Sequence, residues 1–223
     1  RNELKKTIPS LLTGCTCVLK PAPESPLTGA MMMEIFTEAG LPPGVINMVA
    51  GGAEPGQALL VHPEVDKIAF TGSTATGRHI ASVSGPLFKR LQLELGGKSA
   101  AIVLADSDVA EVAPNLLTFG FGNSGQICAS LTRVVVPRHM QDAVVEALVA
   151  GAQRHVVGDP MDERTTLGPL VTRAQRDKVL AYIASGIDQG ATLATGGGIP
   201  AGLDRGWYVE PTVFSNVDNS MRI

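Results

Sequence analysis

The chain has 223 residues and a formal net charge of −3, a length that fits one large domain or two smaller ones. A hydrophobic fraction of 44% is enough for a core, and 17% charged residues is too few for a disordered chain. The pI near 5.8 gives no general attraction to nucleic acid or an anionic membrane, and no apolar run is long enough to span a bilayer. Arg1 opens a short polar stretch, without the charged-then-apolar pattern of a secretory signal.

Along the chain, residues 16–20 (TCVLK) read as a buried strand. Ser25 and Pro26 open a helix, since proline suits the first helical position. Leu27, Ala30, Met31 and Ile35 follow at helical spacing, and Gly40 with Leu41-Pro42-Pro43 stops it. Residues 45–49 are the next strand, ended by Gly51-Gly52, and a helix covers about 55–61. Residues 67–70 (KIAF) give a third strand and 74–83 a third helix. In the strand at 90–94 (RLQLE), alternation puts Leu91, Leu93 and Leu95 on one face, with Gln92 and Glu94 on the other. Strands alternating with helices predict βαβ units, a parallel sheet and a doubly wound α/β layer.

After Gly97 the pattern begins again. A strand at 100–104 precedes a helix capped by Asp108 and running towards Phe119. A strand at 133–136 leads to a helix at roughly 139–155, with Val144, Leu148 and Ala152 at i, i+4 and i+8. Thr172 and Gln175 form a capping box for a helix bearing Val179, Leu180, Ile183 and Ile187, with Gly190 as its C′ residue. Residues 195–198 (TGGG) read as a loop. Two α/β units meeting near Gly96-Gly97 predict two domains, residues 1–96 and 97–223, with a cleft between them.

Three cysteines cannot all pair, and a reducing cytoplasm suits all three thiols. Cys15 and Cys17, two apart on a strand, read as small packing residues on one face. The four histidines are scattered without ligand spacing, so no metal site is expected.

Four places carry chemistry. Cys128 follows the glycine-rich, polar run 121–127 (FGNSGQI), which is wrong for deep core. On that ground it is as readily a nucleophile as a packing residue, and its N–H is a candidate oxyanion donor. Glu94 ends an apolar strand just before Gly96-Gly97, where backbone can approach a ligand closely; it is a general base or an ordinary solvated glutamate. The turn 71–77 (TGSTATG) leads a strand into a helix through Gly72 and Ser73, with Gly77 one helical turn later. It is not the Gly-x-Gly-x-x-Gly fingerprint. It is either a plain strand–helix loop or a pyrophosphate site at the helix N–H groups. Lys20, before Pro21 at a strand's end, is a solvated lysine or a ligand contact where open α/β sheets bind.

The order of these runs decides between the readings. Residues 20–26 (KPAPESP), 70–73 (FTGS), 94–99 (ELGGKS), 125–128 (GQIC) and 206–214 (GWYVEPTVF) together resemble the aldehyde dehydrogenase superfamily over essentially the whole chain. The glutamate and cysteine runs are the most specific, and their separation fits.

The resemblance implies a partial Rossmann-like dinucleotide-binding domain followed by a partial catalytic domain. It implies Cys128 as the thiol that attacks the aldehyde and passes through a thiohemiacetal to a thioester, and Glu94 as the base for the hydrolytic water. Lys20 is implied at the adenosine ribose, Gly72, Ser73 and Gly77 at the pyrophosphate turn, and the Leu95 carbonyl at the nicotinamide amide. NAD or NADP is the implied cofactor and a small aldehyde the substrate. Neither nucleic acid nor membrane is an expected partner, and the full-length protein is expected in the cytoplasm as a homodimer or homotetramer. An acylating relative that passes the acyl group to coenzyme A, or a non-catalytic protein on the same fold, are the alternatives.

Three departures stand out. Pro23 occupies the place where many NAD-preferring members carry a glutamate, with Glu24 one step later, which opens the site to NADP. Asn2 lacks the tryptophan that precedes the family's oxyanion asparagine and lies too near Lys20 to be it. The family's Glu-Ile-Phe-Gly-Pro run is expected after Ile223. The resemblance therefore implies an internal fragment, expected to be inactive and prone to aggregate by itself.

Overall fold

In this computed structural model residues 2–223 are described, with only the backbone of Asn2. The polar start read at Arg1 and the side chain of Asn2 lie outside the described residues. The chain divides into two compact units, Arg1–Gly96 and Gly97–Ile223.

The first unit runs α1 (Asn2–Leu12), β1 (Cys17–Leu19), α2 (Pro26–Glu38), β2 (Ile46–Met48), α3 (Ala53–Val61), β3 (Lys67–Thr71), α4 (Thr74–Ser84) and β4 (Arg90–Glu94). β1 pairs parallel with β2, Cys17 facing Ile46. β3 pairs parallel with β4 from Lys67 opposite Arg90 to Thr71 opposite Glu94. Each pair is joined through a helix, as parallel strands require. β1 begins at Cys17, so Cys15 lies before the strand and is exposed, its N–H donating to the Ser10 carbonyl at 3.0 Å.

α1 is absent from the sequence expectations. Its sequence, NELKKTIPSLL, holds a proline at position 9, which removes one ladder donor. Its hydroxyls bond back into the helix, Thr7 to the Glu3 carbonyl at 3.0 Å and Ser10 to the Lys6 carbonyl at 2.9 Å. Those local bonds satisfy groups that would otherwise favour a turn. In α2, Pro26 sits in the first turn as expected, and Gly40 after the helix has φ +80°. The buried face is set by Gly29 and Met32, while Leu27, Met31 and Ile35 stay exposed. A Cβ at position 29 would lie 3.2 Å from the Met48 sulfur, so the glycine lets the helix settle on β2 and turns the longer apolar stripe away.

The second unit runs β5 (Ser99–Ile102), α5 (Val109–Phe121), β6 (Leu131–Val135), α6 (Gln141–Ala152), α7 (Arg173–Asp188), β7 (Thr192–Thr195) and β8 (Val213–Ser215). β5 and β6 are parallel, with a register shift between Ser99 and Ala100. β7 and β8 are antiparallel, a departure from the all-parallel expectation; Thr195, expected in a loop, ends β7. The expected caps form: the Asp108 carboxylate accepts the Ala110 N–H at 2.8 Å, and the Thr172 hydroxyl accepts the Gln175 N–H at 3.2 Å. Gly190 after α7 has φ +91°, the left-handed geometry that favours glycine there.

The core of this unit joins Val103, Leu116 and Val144, with Val112, Val134 and Leu148 packed against it. It is formed where α5 and α6 cover β5 and β6, and the helical period of Val144, Leu148 and Ala152 is what turns α6 onto it. On α7 only Ile183 of the four expected apolar residues is buried, while Val179 and Ile187 are exposed. Among the described residues no helix is long and apolar enough to cross a membrane.

Leu116 is 7% exposed at the centre of this core. Leu116→Ala is expected to cost about 2–5 kcal/mol through lost transfer energy and a cavity. Chemical denaturation of the full-length protein measures it; a loss below about 0.5 kcal/mol would show that the site repacks freely.

Candidate active site

Two strand exits in the first unit carry the residues singled out there. β3 leaves through Gly72-Ser73 and β4 through Glu94-Leu95. Because Thr71 faces Glu94 in register, the two exits are adjacent, and the Gly72 N–H donates to the Glu94 carbonyl at 3.1 Å. Ser73 caps α4: its hydroxyl accepts the Thr76 N–H at 3.1 Å, and its carbonyl accepts the Gly77 N–H at 2.9 Å. A helix's first four N–H groups lack partners within the helix, so the cap leaves those of Thr74 and Ala75 outside this pair of bonds. Gly77 is buried, and a Cβ there would lie 2.8 Å from the Leu95 side chain. Its absent side chain lets α4 close on the segment after β4.

Lys20 follows β1. Its ammonium donates to the Pro21 carbonyl at 2.8 Å and the Gly51 carbonyl at 3.1 Å. The β1 and β2 exits are thereby tied together by one cation. The lysine stem runs past Gly56 of α3, where a Cβ would meet it at an ordinary contact distance of 3.6 Å.

Glu94 is exposed at its strand end, with the alternation expected of its strand: Leu91 and Leu93 half-buried, Gln92 and Glu94 out. Sequence reasoning missed its neighbour. Burial lowers the Lys6 ammonium of α1 below the ordinary lysine range, while the nearby carboxylates of Glu3 and Glu94 pull it back up. The available signal was the helix itself, which would have placed a cation on the segment before β1.

Cys128 lies in the second unit, in an exposed turn between α5 and β6. The turn is unusual: Asn123 and Ser124 both adopt left-handed backbone, with φ of 53° and 55°. Such geometry is uncommon outside glycine and marks constrained sites. Gly97 backs the nucleophile candidate. A Cβ at Gly97 would lie 2.6 Å from the Cys128 carbonyl oxygen, so the second glycine of ELGGKS is needed for the chain to pass behind Cys128. Lys98 is left-handed as well, φ 64°, and its carbonyl accepts the Arg133 Nε–H at 2.9 Å, which ties the start of β5 to β6.

The first unit thus places Gly72, Ser73, Glu94 and Leu95 at the adjacent β3 and β4 exits, Gly77 in the first turn of α4 and Lys20 at the β1 exit, and the second places Cys128 against Gly97. A hollow of about 290 Å³ lined by His155, Thr195 and Glu210 includes none of these residues. Gly97→Ala is expected to displace the Cys128 carbonyl and slow alkylation of Cys128 by iodoacetamide by about a hundredfold, the cost of a misplacement near 1 Å. Peptide-level mass spectrometry measures the rate, and an unchanged rate would contradict the close-packing account.

The model of the aldehyde dehydrogenase family matches residues 3–223. The betaine aldehyde dehydrogenase of Brucella anthropi is 42% identical over 220 residues, covering 98% of this chain and 45% of that protein. The chain therefore spans about 45% of the length of the curated relatives it matches. Among solved structures, a Mycobacterium tuberculosis aldehyde dehydrogenase complexed with NAD+ is 47% identical with a TM-score of 0.95, covering 99% of this chain and 45% of that one. A mutant aldehyde dehydrogenase C from Pseudomonas syringae, complexed with NAD+ and octanal, is 43% identical with a TM-score of 0.94, covering 97% and 45%.

Proposed function

This chain belongs to the aldehyde dehydrogenase family, and we propose that within its full-length protein it oxidises an aldehyde to the carboxylic acid with NAD(P)+ and water. The observation that carries the reading is the Cys128 turn: an exposed thiol on strained backbone, braced from behind by Gly97.

The residues of the first unit fit a dinucleotide. The free N–H groups at the start of α4 would meet the pyrophosphate, Lys20 the adenosine ribose and the Leu95 carbonyl the nicotinamide amide. When bound, NAD(P)+ supplies a hydride acceptor. The chain's own residues do the rest. Cys128 as thiolate adds to the carbonyl carbon, and its N–H is a donor for the oxygen that becomes negative. Loss of hydride from that carbon leaves an acyl group on sulfur. Glu94 takes a proton from water, the oxygen attacks the thioester carbon, and the thiolate departs to leave the carboxylic acid. Lys6 lies close enough to Glu94 for the two charges to attract. The units Arg1–Gly96 and Gly97–Ile223 accordingly correspond to the dinucleotide-binding and catalytic domains.

A water-activating base is of no use to an enzyme whose thioester must survive for coenzyme A, so Glu94 favours hydrolysis over acyl transfer. Since neighbours hold NAD+ and Pro23 brings no carboxylate to repel a 2′-phosphate, use of both cofactors with NAD favoured is the reading here. The betaine aldehyde dehydrogenases among the relatives make small polar aldehydes the first substrates to try, and a homo-oligomeric assembly in the cytoplasm completes the proposal.

Glu94→Gln in the full-length protein is expected to retain the first-turnover burst of reduced cofactor while steady-state turnover falls by about 10²–10⁴, the worth of a general base. Lys6→Met is expected to slow the same later phase. Stopped-flow fluorescence separates the phases. Equal loss in both would contradict the assignment of Glu94 to deacylation, and turnover that depends on coenzyme A would overturn the hydrolytic reading.

A further inference from the structure

Hydrophobic burial does not hold the turn that presents Cys128: no residue from 121 to 129 is buried. Yet Asn123 and Ser124 are both left-handed, a conformation that non-glycine residues keep only when their surroundings over-determine it. What remains to hold it is hydrogen bonding, and the bonds are specific.

Within the turn, the Gln126 side chain donates to the Asn123 carbonyl at 3.2 Å, and the Gln126 N–H donates to the same oxygen at 3.1 Å. Two bonds then leave the turn for one distant segment. The Val171 N–H donates to Gln126 Oε1 at 3.0 Å, and the Ser124 hydroxyl donates to the Gly168 carbonyl at 2.8 Å. The Gln126 amide is thus oriented unambiguously, because a backbone N–H must meet its oxygen. The partner segment is itself anchored: the Leu170 N–H donates to the Trp207 carbonyl at 2.8 Å, and the Trp207 ring lies under the Arg173 guanidinium at 4.7 Å.

We propose that Gln126, with Ser124 beside it, is a positioning residue for Cys128: its amide is clamped between the Asn123 carbonyl and the Val171 N–H, and splints the left-handed turn to residues 168–171 so that the thiol is held ready to attack. The inference rests on the reading of Cys128 as nucleophile. Gln126 touches neither substrate nor cofactor in this role and acts through the backbone of the turn. A methionine at 126 keeps the length and loses both polar contacts. A glutamate keeps the acceptor for Val171 N–H and loses only the donor.

The test uses the full-length protein bearing Gln126→Met, Gln126→Glu, Ser124→Ala or Cys128→Ala. Alkylation of Cys128 by iodoacetamide in the absence of cofactor, followed on the peptide by mass spectrometry, reads the thiol directly; the burst of reduced cofactor reads acylation. Gln126→Met is expected to slow both by about ten- to a hundredfold, with the KM for NAD unchanged and the thermal midpoint within about 4 °C. Gln126→Glu is expected to recover most of the loss, and Ser124→Ala to show a smaller one. Alkylation and burst rates within about twofold of the unaltered protein in both Gln126→Met and Ser124→Ala would overturn the proposal, as would a glutamate variant as slow as the methionine one. Should Gln126→Met not fold, Gln126→Glu and Ser124→Ala decide by the same criterion, a loss in both rates supporting the splint and unchanged rates overturning it. A burst that survives Cys128→Ala would instead bring down the nucleophile reading itself, an outcome separate from unchanged reactivity in the Gln126 variants.

Discussion

The backbone of Gly97 passes so close to the Cys128 carbonyl that any side chain there would sit 2.6 Å from its oxygen. Much of the proposed chemistry depends on that contact. It fixes the rear of the turn, while the bonds from Ser124 and Gln126 to residues 168–171 fix its front. Between them the chain holds two left-handed non-glycine residues, each costing about 1–2 kcal/mol. Hydrogen bonds worth about 0.5–1.5 kcal/mol each in net terms are of the right size to offset this, with little surplus. A turn balanced in this way is rigid only while its partners are in place. This is why single polar residues, contributing nothing to the core, matter to the thiol.

The first unit rests on a different physical basis. In the first unit the elements are short, three strand residues in β1 and β2, and glycine decides how closely they meet. Gly29 seats α2 on Met48, and Gly77 lets α4 close on Leu95. The polar groups are left at the strand exits, where backbone N–H and carbonyl groups are free of the ladder. Lys20 illustrates the economy of this, one ammonium bonding two carbonyls from successive exits. Lys6 illustrates the opposite arrangement, a half-buried cation whose burial lowers its pKa while the carboxylates of Glu3 and Glu94 counter only part of that.

Most of this was legible in the sequence where a local rule applies. The caps at Asp108 and Thr172, the left-handed Gly190 and the alternation of residues 90–94 follow from side-chain chemistry or a short period, and all four appear in the structure. What escaped needed partners distant in sequence. β7 and β8 are short and pair with each other across seventeen intervening residues, 196 to 212; neither carries an apolar alternation of its own. α1 carries Leu4, Ile8, Leu11 and Leu12 at helical spacing, but Pro9 among them reads as a helix breaker. The buried face of α2 was decided by the close approach at Gly29, which reverses what spacing alone favours. The family motifs singled out Cys128 and Glu94, but the roles of Lys6, Gln126 and Ser124 emerge only from contacts.

The central claim is that an acyl group resides on Cys128 during turnover. The most direct measurement is to mix the full-length Glu94→Gln protein with NAD+ and an accepted aldehyde, quench in acid within the burst, and map the adduct by peptide mass spectrometry. The account predicts an acyl mass on the peptide containing Cys128, in proportion to the reduced cofactor formed. Reduced cofactor released in the burst with no adduct on Cys128 would contradict it.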